Sequence, residues 1–131
     1  MHKPGLSMVY LTRHTYRPFN PPTDVMEMAD KIVVLVEIAG IRTEELKITL
    51  TNQQLVITGL RERPQHSAPA YHQVEIFFGE FRVDVTLPWP VESEAVSANY
   101  DDGFLKVELP RRAATQIPIV DMNNTEQQDH A

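Results

Sequence analysis

The side chains best suited to chemistry in this chain are its histidines, carboxylates and serines. The five histidines are His2, His14, His66, His72 and His130. They stand far apart, without a His-Glu-x-x-His spacing, and the chain has no cysteine to complete a zinc site. His72 and Glu75 are three residues apart, so on an extended strand they project from opposite faces. The histidines therefore indicate neither a metal site nor an acid–base pair.

Nucleophilic and phosphate chemistry have no better support. The four serines are Ser7, Ser67, Ser93 and Ser97, and none of them stands in a nucleophile-elbow context. The five glycines are isolated from one another, so no glycine-rich loop is available to cradle a phosphate. We therefore predict that the chain is not an enzyme and that it uses no cofactor and no metal.

An apolar motif near the carboxyl end is more informative. In Ile117-Pro118-Ile119, two isoleucines at i and i+2 point to the same side of an extended backbone, which a solvated tail would not need. We predict that this pair docks into a groove of a neighbouring subunit, for a gross gain of about 3–6 kcal/mol. The six residues 111–116 would let it reach roughly 20 Å. The residues predicted to line the groove are Leu46, Ile48, Leu50, Val96 and Ala98.

The elements that must carry this groove are strands. Asp102-Gly103 is a tight-turn signal, and the alternating apolar residues from Leu105 to Leu109 after it predict a half-buried strand ended by Pro110. The run Ile32–Ile38 is apolar on both faces over most of its length, as in a central strand. Further strands are predicted within 24–28, 46–50, 55–59, 71–77, 81–87 and 96–100. Seven or eight short strands without a long helix predict an all-β antiparallel sandwich.

Length and composition set the organisation around that sandwich. The 131 residues suffice for one domain, 23–110, with a flexible arm at 1–22 and a flexible tail at 111–131. Exposed apolar arms usually bind something, so the arm is predicted to be a contact surface for another molecule. The predicted contact residues are Met8, Tyr10, Leu11, Tyr16 and Phe19. Packing of the same side chains on their own sandwich is the competing interpretation.

Charge and cysteine content exclude several classes of partner. The chain has 12 Lys and Arg against 18 Asp and Glu, a net charge of −6, which disfavours nucleic acid and anionic membranes as partners. The absence of cysteine fits a reducing compartment. Because the chain shows no apolar run typical of a secretion signal or a transmembrane helix, we expect a cytoplasmic protein.

Several motifs in order resemble a known family. The pieces are Asp24-Val25-x-Glu27-x-x-Asp30, Glu37-Ile38-Ala39-Gly40, Leu55-x-Ile57-x-Gly59 with Arg61, Tyr71-His72-x-x-Glu75, Gly79-x-Phe81, Leu87-Pro88, Ala98-x-x-x-x-Gly103-Phe104-Leu105 and Ile117-x-Ile119. In this order and spacing, from about Pro22 to Ile119, the chain resembles the small heat shock proteins of the α-crystallin (Hsp20) family. The resemblance implies an immunoglobulin-like β-sandwich, the α-crystallin domain, over 23–110.

The resemblance also implies a function and a mode of assembly. It implies homodimers and higher homo-oligomers, and ATP-independent binding of partly unfolded proteins during heat or other stress. The apolar arm residues named above are then the predicted contacts with these client proteins. It implies that an extended loop pairs with the partner subunit, with a dimer interface at Tyr71, His72, Val74, Glu75 and Ile76. Where the family usually has an arginine this chain has Val83, so the ion pair assigned to that arginine is not carried over. Its neighbour Arg82 is expected on the other face of the strand.

A second function stays open at this point. A p23-like cochaperone shares the sandwich but serves a dedicated chaperone partner as a monomer. The Ile117-Pro118-Ile119 motif argues against it, because a monomer has no neighbouring groove to fill. The native mass of the purified chain separates the two hypotheses.

Overall fold

Short strands make up nearly all the regular structure of the chain. The computed structural model describes residues 17–65 and 69–123. In those ranges the strands are β1 (Thr23–Glu27), β2 (Lys31–Glu37), β3 (Lys47–Thr51), β4 (Gln54–Arg61), β5 (Gly79–Thr86), β6 (Ser97–Asp101) and β7 (Phe104–Pro110). Two single 3-10 turns, Thr43–Glu45 and Ser93–Ala95, precede β3 and β6. The predicted all-β class is confirmed.

The strands form two antiparallel sheets. One sheet has four strands in the order β1-β2-β7-β6, and the other has three in the order β3-β4-β5. Strand β2 pairs on both sides, with β1 and with β7. Its two faces are both apolar, as expected for a central strand: Val34 is fully buried in the core and Val33, on the opposite face, is only 3% exposed. The reading of 32–38 as a central strand is thus confirmed.

Two tight turns set the register of the hairpins. Asp102 and Gly103 both have positive φ, at 49° and 82°, and they join β6 to β7 with Asp101 opposite Phe104. This is the backbone that a two-residue hairpin needs, and it confirms the turn predicted from the sequence. In the turn between β3 and β4, Asn52 has the positive φ, at 56°. Asparagine tolerates this region better than most residues.

The core lies between the sheets and is built mainly from alternate positions of β2, β4, β5 and β7. Its buried members are Ile32, Val34, Val36, Ile38, Leu55, Ile57, Phe81, Val83, Val85, Leu87, Val91, Leu105, Val107 and Leu109. Val83 points into this core, whereas Arg82 lies outside and forms an ion pair with Asp84 at 2.9 Å, as the strand alternation predicted. Trp89 packs on the rim, with the Arg111 guanidinium 5.0 Å from its ring.

The path of the chain before β1 shows which sheet edges lie together. Phe19 forms a parallel bridge with Phe81 of β5, through Phe19 N–H to Glu80 O (3.0 Å) and Arg82 N–H to Phe19 O (2.9 Å). Four residues later the chain enters β1, at the edge of the other sheet. The β5 and β1 edges therefore share one side of the sandwich, and the β3 and β6 edges share the opposite side.

One predicted strand is wrong for the single chain. Residues 71–77 carry no strand, and every one of them is exposed. The β-type alternation is present, but no strand within residues 17–65 or 69–123 pairs with this segment, and an unpaired strand has no ladder to stabilise it. Among the described residues, no helix is long and apolar enough to cross a bilayer.

Candidate interaction surfaces

The predicted groove residues lie on two edge strands at one side of the sandwich. Ile48 and Leu50 alternate along β3, Leu46 directly precedes that strand in the same alternation, and all three are half-buried against the core. Val96, which directly precedes β6, is also half-buried, whereas Ala98 within β6 is exposed. The structure thus brings the five residues to the facing edges of the two sheets. This position fits a groove between the edges, and its occupancy by the tail remains a prediction.

Tyr100 completes that surface and was missed from the sequence. It follows Val96 and Ala98 at the same alternation, and its hydroxyl donates a hydrogen bond of 2.9 Å to the Ile38 carbonyl. Its ring is half-buried against the core. The period-two pattern of residues 96, 98 and 100 was the available signal, because alternate residues of a strand share a face.

The backbones of β3 and β6 offer polar groups beside these side chains. In the described chain β3 pairs only with β4, and β6 pairs only with β7. Each strand therefore has one edge whose N–H and C=O groups face no partner strand, and such an edge is a template for an added strand. An extended segment with alternate apolar residues matches both the backbone and the side chains of this edge.

The tail motif is exposed on a short tether. Ile117 is 80% exposed and Ile119 is 95% exposed, so neither is buried in its own chain. The backbone stays attached to the sandwich through Arg111 N–H to Asp30 O (2.8 Å) and Arg112 N–H to Pro90 O (3.0 Å). Only residues 113–116 then separate the last of these bonds from Ile117, so the reach is about 13 Å and not about 20 Å.

The predicted dimer loop presents a second apolar surface. Val74 and Ile76 are 60% and 63% exposed, at positions that share a face of an extended segment. Tyr71 is also exposed, and Gln73 donates a hydrogen bond to Glu75. Beneath the loop lies an open cavity of about 250 Å³. Its lining includes Arg63, Pro64, Tyr71, Val74, Ile76 and Phe78.

Arg61 holds the base of this loop, a role that sequence reasoning missed. Its Nε and Nη2 both donate to the Phe77 carbonyl, at 3.0 and 2.6 Å, and its Nη1 donates to the Ala39 carbonyl at 3.2 Å. The guanidinium also lies 5.1 Å from the Phe19 ring centroid and 5.5 Å from that of Phe78. One arginine thus connects β4, the loop and the segment before β1.

The remaining predicted site residues belong to the arm before β1 and to the loop of residues 71–77. Phe19 is half-buried against its own sandwich, as in the competing interpretation of the arm, while Met8, Tyr10, Leu11 and Tyr16 lie outside the described residues. His72 is exposed in the loop. Within residues 17–65 and 69–123, no three His, Asp or Glu side chains gather as a metal site would require.

Comparison with known proteins agrees with this geometry. The sequence model of the Hsp20/alpha crystallin family matches residues 24–122, which include both sheets and the Ile117-Pro118-Ile119 motif. The chain belongs to this family. The resemblance drawn from the motifs is confirmed.

Similar proteins include several heat shock proteins. Small heat shock protein C4 of Rickettsia felis is 28% identical over 107 residues, which cover 81% of this chain and 66% of that protein. Heat shock protein 16 of Schizosaccharomyces pombe is 30% identical over 100 residues, covering 74% and 70% of the two chains. The chain spans a smaller share, 60%, of small heat shock protein C2 of Rickettsia felis.

Solved structures share the sandwich. Heat shock protein 16.0 from Schizosaccharomyces pombe superposes with a TM-score of 0.65 at 28% identity, over 78% of this chain and 99% of that one. A small heat-shock protein from Xylella fastidiosa, described as having a distinct high order structure, gives a TM-score of 0.68 at 22% identity. It covers 81% of this chain and 98% of that one. The α-crystallin sandwich predicted from the sequence is therefore confirmed.

Proposed function

We propose that this member of the Hsp20/alpha crystallin family is an ATP-independent holdase that binds partly unfolded proteins and keeps them from aggregating. The observation that carries the proposal is the exposure of Ile117 and Ile119 on a four-residue tether beside a sandwich with open edges. Covering this exposed apolar pair with another surface removes it from water, which lowers the free energy of the system. That surface is either a neighbouring subunit or an unfolded client.

Energetics favour contacts that form and break readily. Burying two isoleucine side chains contributes about 3–6 kcal/mol. Fully ordering the four-residue tether would cost about 1–2 kcal/mol per residue, about 4–8 kcal/mol in all, which offsets the gain entirely unless the tether keeps part of its freedom. A single tail contact is therefore weak, and several tails acting in one assembly hold it together through their high effective concentration. Heating would release tails first and uncover apolar edges without any need for nucleotide.

The loop of residues 71–77 supplies the second contact of the assembly. Strand β1 has one unpaired edge and displays Val25 and Met26, which are 50% and 37% exposed. Val74 and Ile76 of a partner's loop have the matching alternation for an added strand along this edge. We place the dimer contact here because the β3 and β6 edges match the tail, and Phe19 already covers part of the β5 edge.

The direct test is suppression of aggregation. An unrelated enzyme is heated until it scatters light, with and without a stoichiometric amount of the full chain and without nucleotide. We expect the turbidity to fall strongly, and the native mass of the chain alone to exceed that of a dimer. Unchanged turbidity together with a monomeric mass at micromolar concentration would contradict the proposal and favour a cochaperone that acts on one dedicated partner.

A further inference from the structure

Phe19 occupies a well-defined site on the β5 edge. Its ring stacks on Phe77, with centroids 5.7 Å apart and planes at 21°, and it meets the buried ring of Phe81 at 5.8 Å. The Arg61 guanidinium lies over the same ring at 5.1 Å. Two backbone hydrogen bonds flank the ring, one to the Glu80 carbonyl and one from the Arg82 amide. We call these five partners of Phe19 the β5-edge site.

The β5-edge site contacts one residue of an extended segment and few atoms of the residues on either side. The bridge is isolated and does not continue as a strand, and the neighbouring Arg17 and Pro18 are exposed. Phe19 itself is anchored by its aromatic side chain and by the N–H and C=O of its own residue. The chain is next held two to three residues later, where Pro21 is buried and the Pro22 carbonyl accepts a hydrogen bond of 2.9 Å from the Glu37 amide. Any chain that presents a phenylalanine on an extended backbone can make the same contacts, because the backbone bonds carry no sequence information.

Attachment by so few contacts makes the segment replaceable. Phe19 remains partly exposed even when docked, and the ring–guanidinium contact is a surface one. Such contacts are weak at exposed sites, because the cation keeps most of its hydration. A competing segment need only reproduce one residue's interactions, and a partly unfolded protein displays many aromatic residues on extended backbone.

We propose that the β5-edge site is a client-binding site for extended segments that carry an aromatic residue, and that Phe19 closes it in the resting chain. The inference rests on the proposed holdase function, which supplies the unfolded partner. Phe19 is then a built-in competitor for a site that clients use after it leaves. Heating, or the loss of contacts between subunits, releases Phe19 from the β5-edge site and so opens it.

A peptide of the chain's own sequence tests the site. The probe is a fluorescein-labelled Arg-Pro-Phe-Asn-Pro-Pro peptide, matching residues 17–22, and its binding to the full chain is followed by fluorescence polarisation. Phe19→Ala empties the site, and we expect it to bind the probe about tenfold more tightly than the wild type does, as for a site closed about nine-tenths of the time. The matched control peptide has alanine in place of phenylalanine and should not bind.

Two further variants guard against a folding defect. Phe19→Leu keeps apolar cover over Phe81 but loses the stacking and the guanidinium contact, so it should fold normally and bind the probe with intermediate affinity. Phe19→Ala combined with Phe77→Ala removes the stacking partner and should weaken probe binding again. Equal affinity of the wild type, Phe19→Ala and Phe19→Leu for the probe would overturn the proposal.

Aggregation assays then link the site to clients. At a substoichiometric ratio to a heated client, Phe19→Leu should suppress turbidity more than the wild type does. Equal suppression by these two chains, despite tighter probe binding by the variant, would overturn the client role of the site. If the wild type suppresses nothing at any ratio, the holdase proposal itself fails. The peptide measurement involves no client, so it still tests separately whether Phe19 closes the β5-edge site.

Discussion

Gly59 lies directly beneath the ring of Phe81, its partner across strands β4 and β5. A Cβ atom at Gly59 would stand 2.4 Å from Cζ and 2.6 Å from Cε2 of that ring, and 3.0 Å from the Glu45 carbonyl oxygen. Phe81 is 1% exposed, so its ring has nowhere to move. The glycine serves packing and not a turn, because it sits within β4 opposite a fully buried aromatic residue.

Gly59→Ala should therefore destabilise the domain. The added methyl group must displace a buried ring that also supports Phe19, and overpacking of this kind costs about 1–3 kcal/mol. Urea unfolding at a fixed protein concentration, followed by tryptophan fluorescence from Trp89, measures the change in the free energy of unfolding.

A double-mutant cycle with Phe81→Leu isolates this contact. Leucine is shorter than phenylalanine and should leave room for the methyl group, so the two substitutions together should destabilise less than the sum of each alone. Strict additivity would show that the clash is with the Glu45 carbonyl and not with the ring.

Local sequence signals were sufficient for most of the fold. Asp102-Gly103 has the positive φ angles that its type predicts, and the alternation after it gives β7 its buried face. The apolar run 32–38 became the central strand β2. Turn chemistry and side-chain period act within a few residues, so they can be read from one segment at a time.

Contacts between distant segments could not be read in the same way. The segment 71–77 has strand-like alternation, but pairing depends on a second strand, and the described part of the chain offers none to it. Phe19 lies in an arm whose apolar residues follow no helix or strand periodicity, and its partner Phe81 is 62 residues away in the sequence. Arg61 belongs to the motif that begins at Leu55, but its hydrogen bonds to the Ala39 and Phe77 carbonyls depend on how β4, the segment that follows β2 and the loop of residues 71–77 meet.

Replacing both tail isoleucines should reduce the size of the assembly. Ile117→Ala with Ile119→Ala removes most of the apolar surface that we propose to dock, and the native mass should shift toward dimers in multi-angle light scattering. Val120→Ala is the matched control, because Val120 is 70% exposed, adjacent and on the other side of an extended tail. A mass unchanged by the double variant, or reduced equally by the control, would contradict tail docking.

A charge on the apolar face of the loop should weaken the dimer. Ile76→Asp places a carboxylate where we propose contact with a partner's β1 edge, and an unpaired charge is costly to bury. Sedimentation velocity over a dilution series should show monomers at a concentration where the wild type has none. Ser93→Asp adds the same charge at an exposed turn away from the loop and should leave the distribution unchanged. Matching behaviour of the two variants would rule out this interface.

Glu108 should make stability depend on pH at the acid end. The positive charge of Lys31, whose Nζ lies 3.4 Å from Glu108 Oε1, lowers the pKa of this carboxyl below its ordinary value, and a hydrogen bond from the same Nζ adds to the effect. Lys106 contributes less, from 3.5 Å. Because the folded state holds the proton more weakly than the unfolded state, the stabilisation is complete above about pH 5 and is lost as the pH falls below about 4.

Glu108→Gln tests that sign. The variant should be slightly less stable than the wild type at pH 7, and the difference should shrink as the pH is lowered to 3, because protonation of the wild-type carboxyl removes the same attraction. Urea midpoints at matched protein concentration measure both chains across this range. Glu94→Gln is the control, since Glu94 is an exposed glutamate in a 3-10 turn, outside the Lys31 and Lys106 contacts. A gap between Glu108→Gln and the wild type that widens toward pH 3 would mean that Glu108 binds its proton more tightly in the folded state, the reverse of what two neighbouring ammonium groups impose.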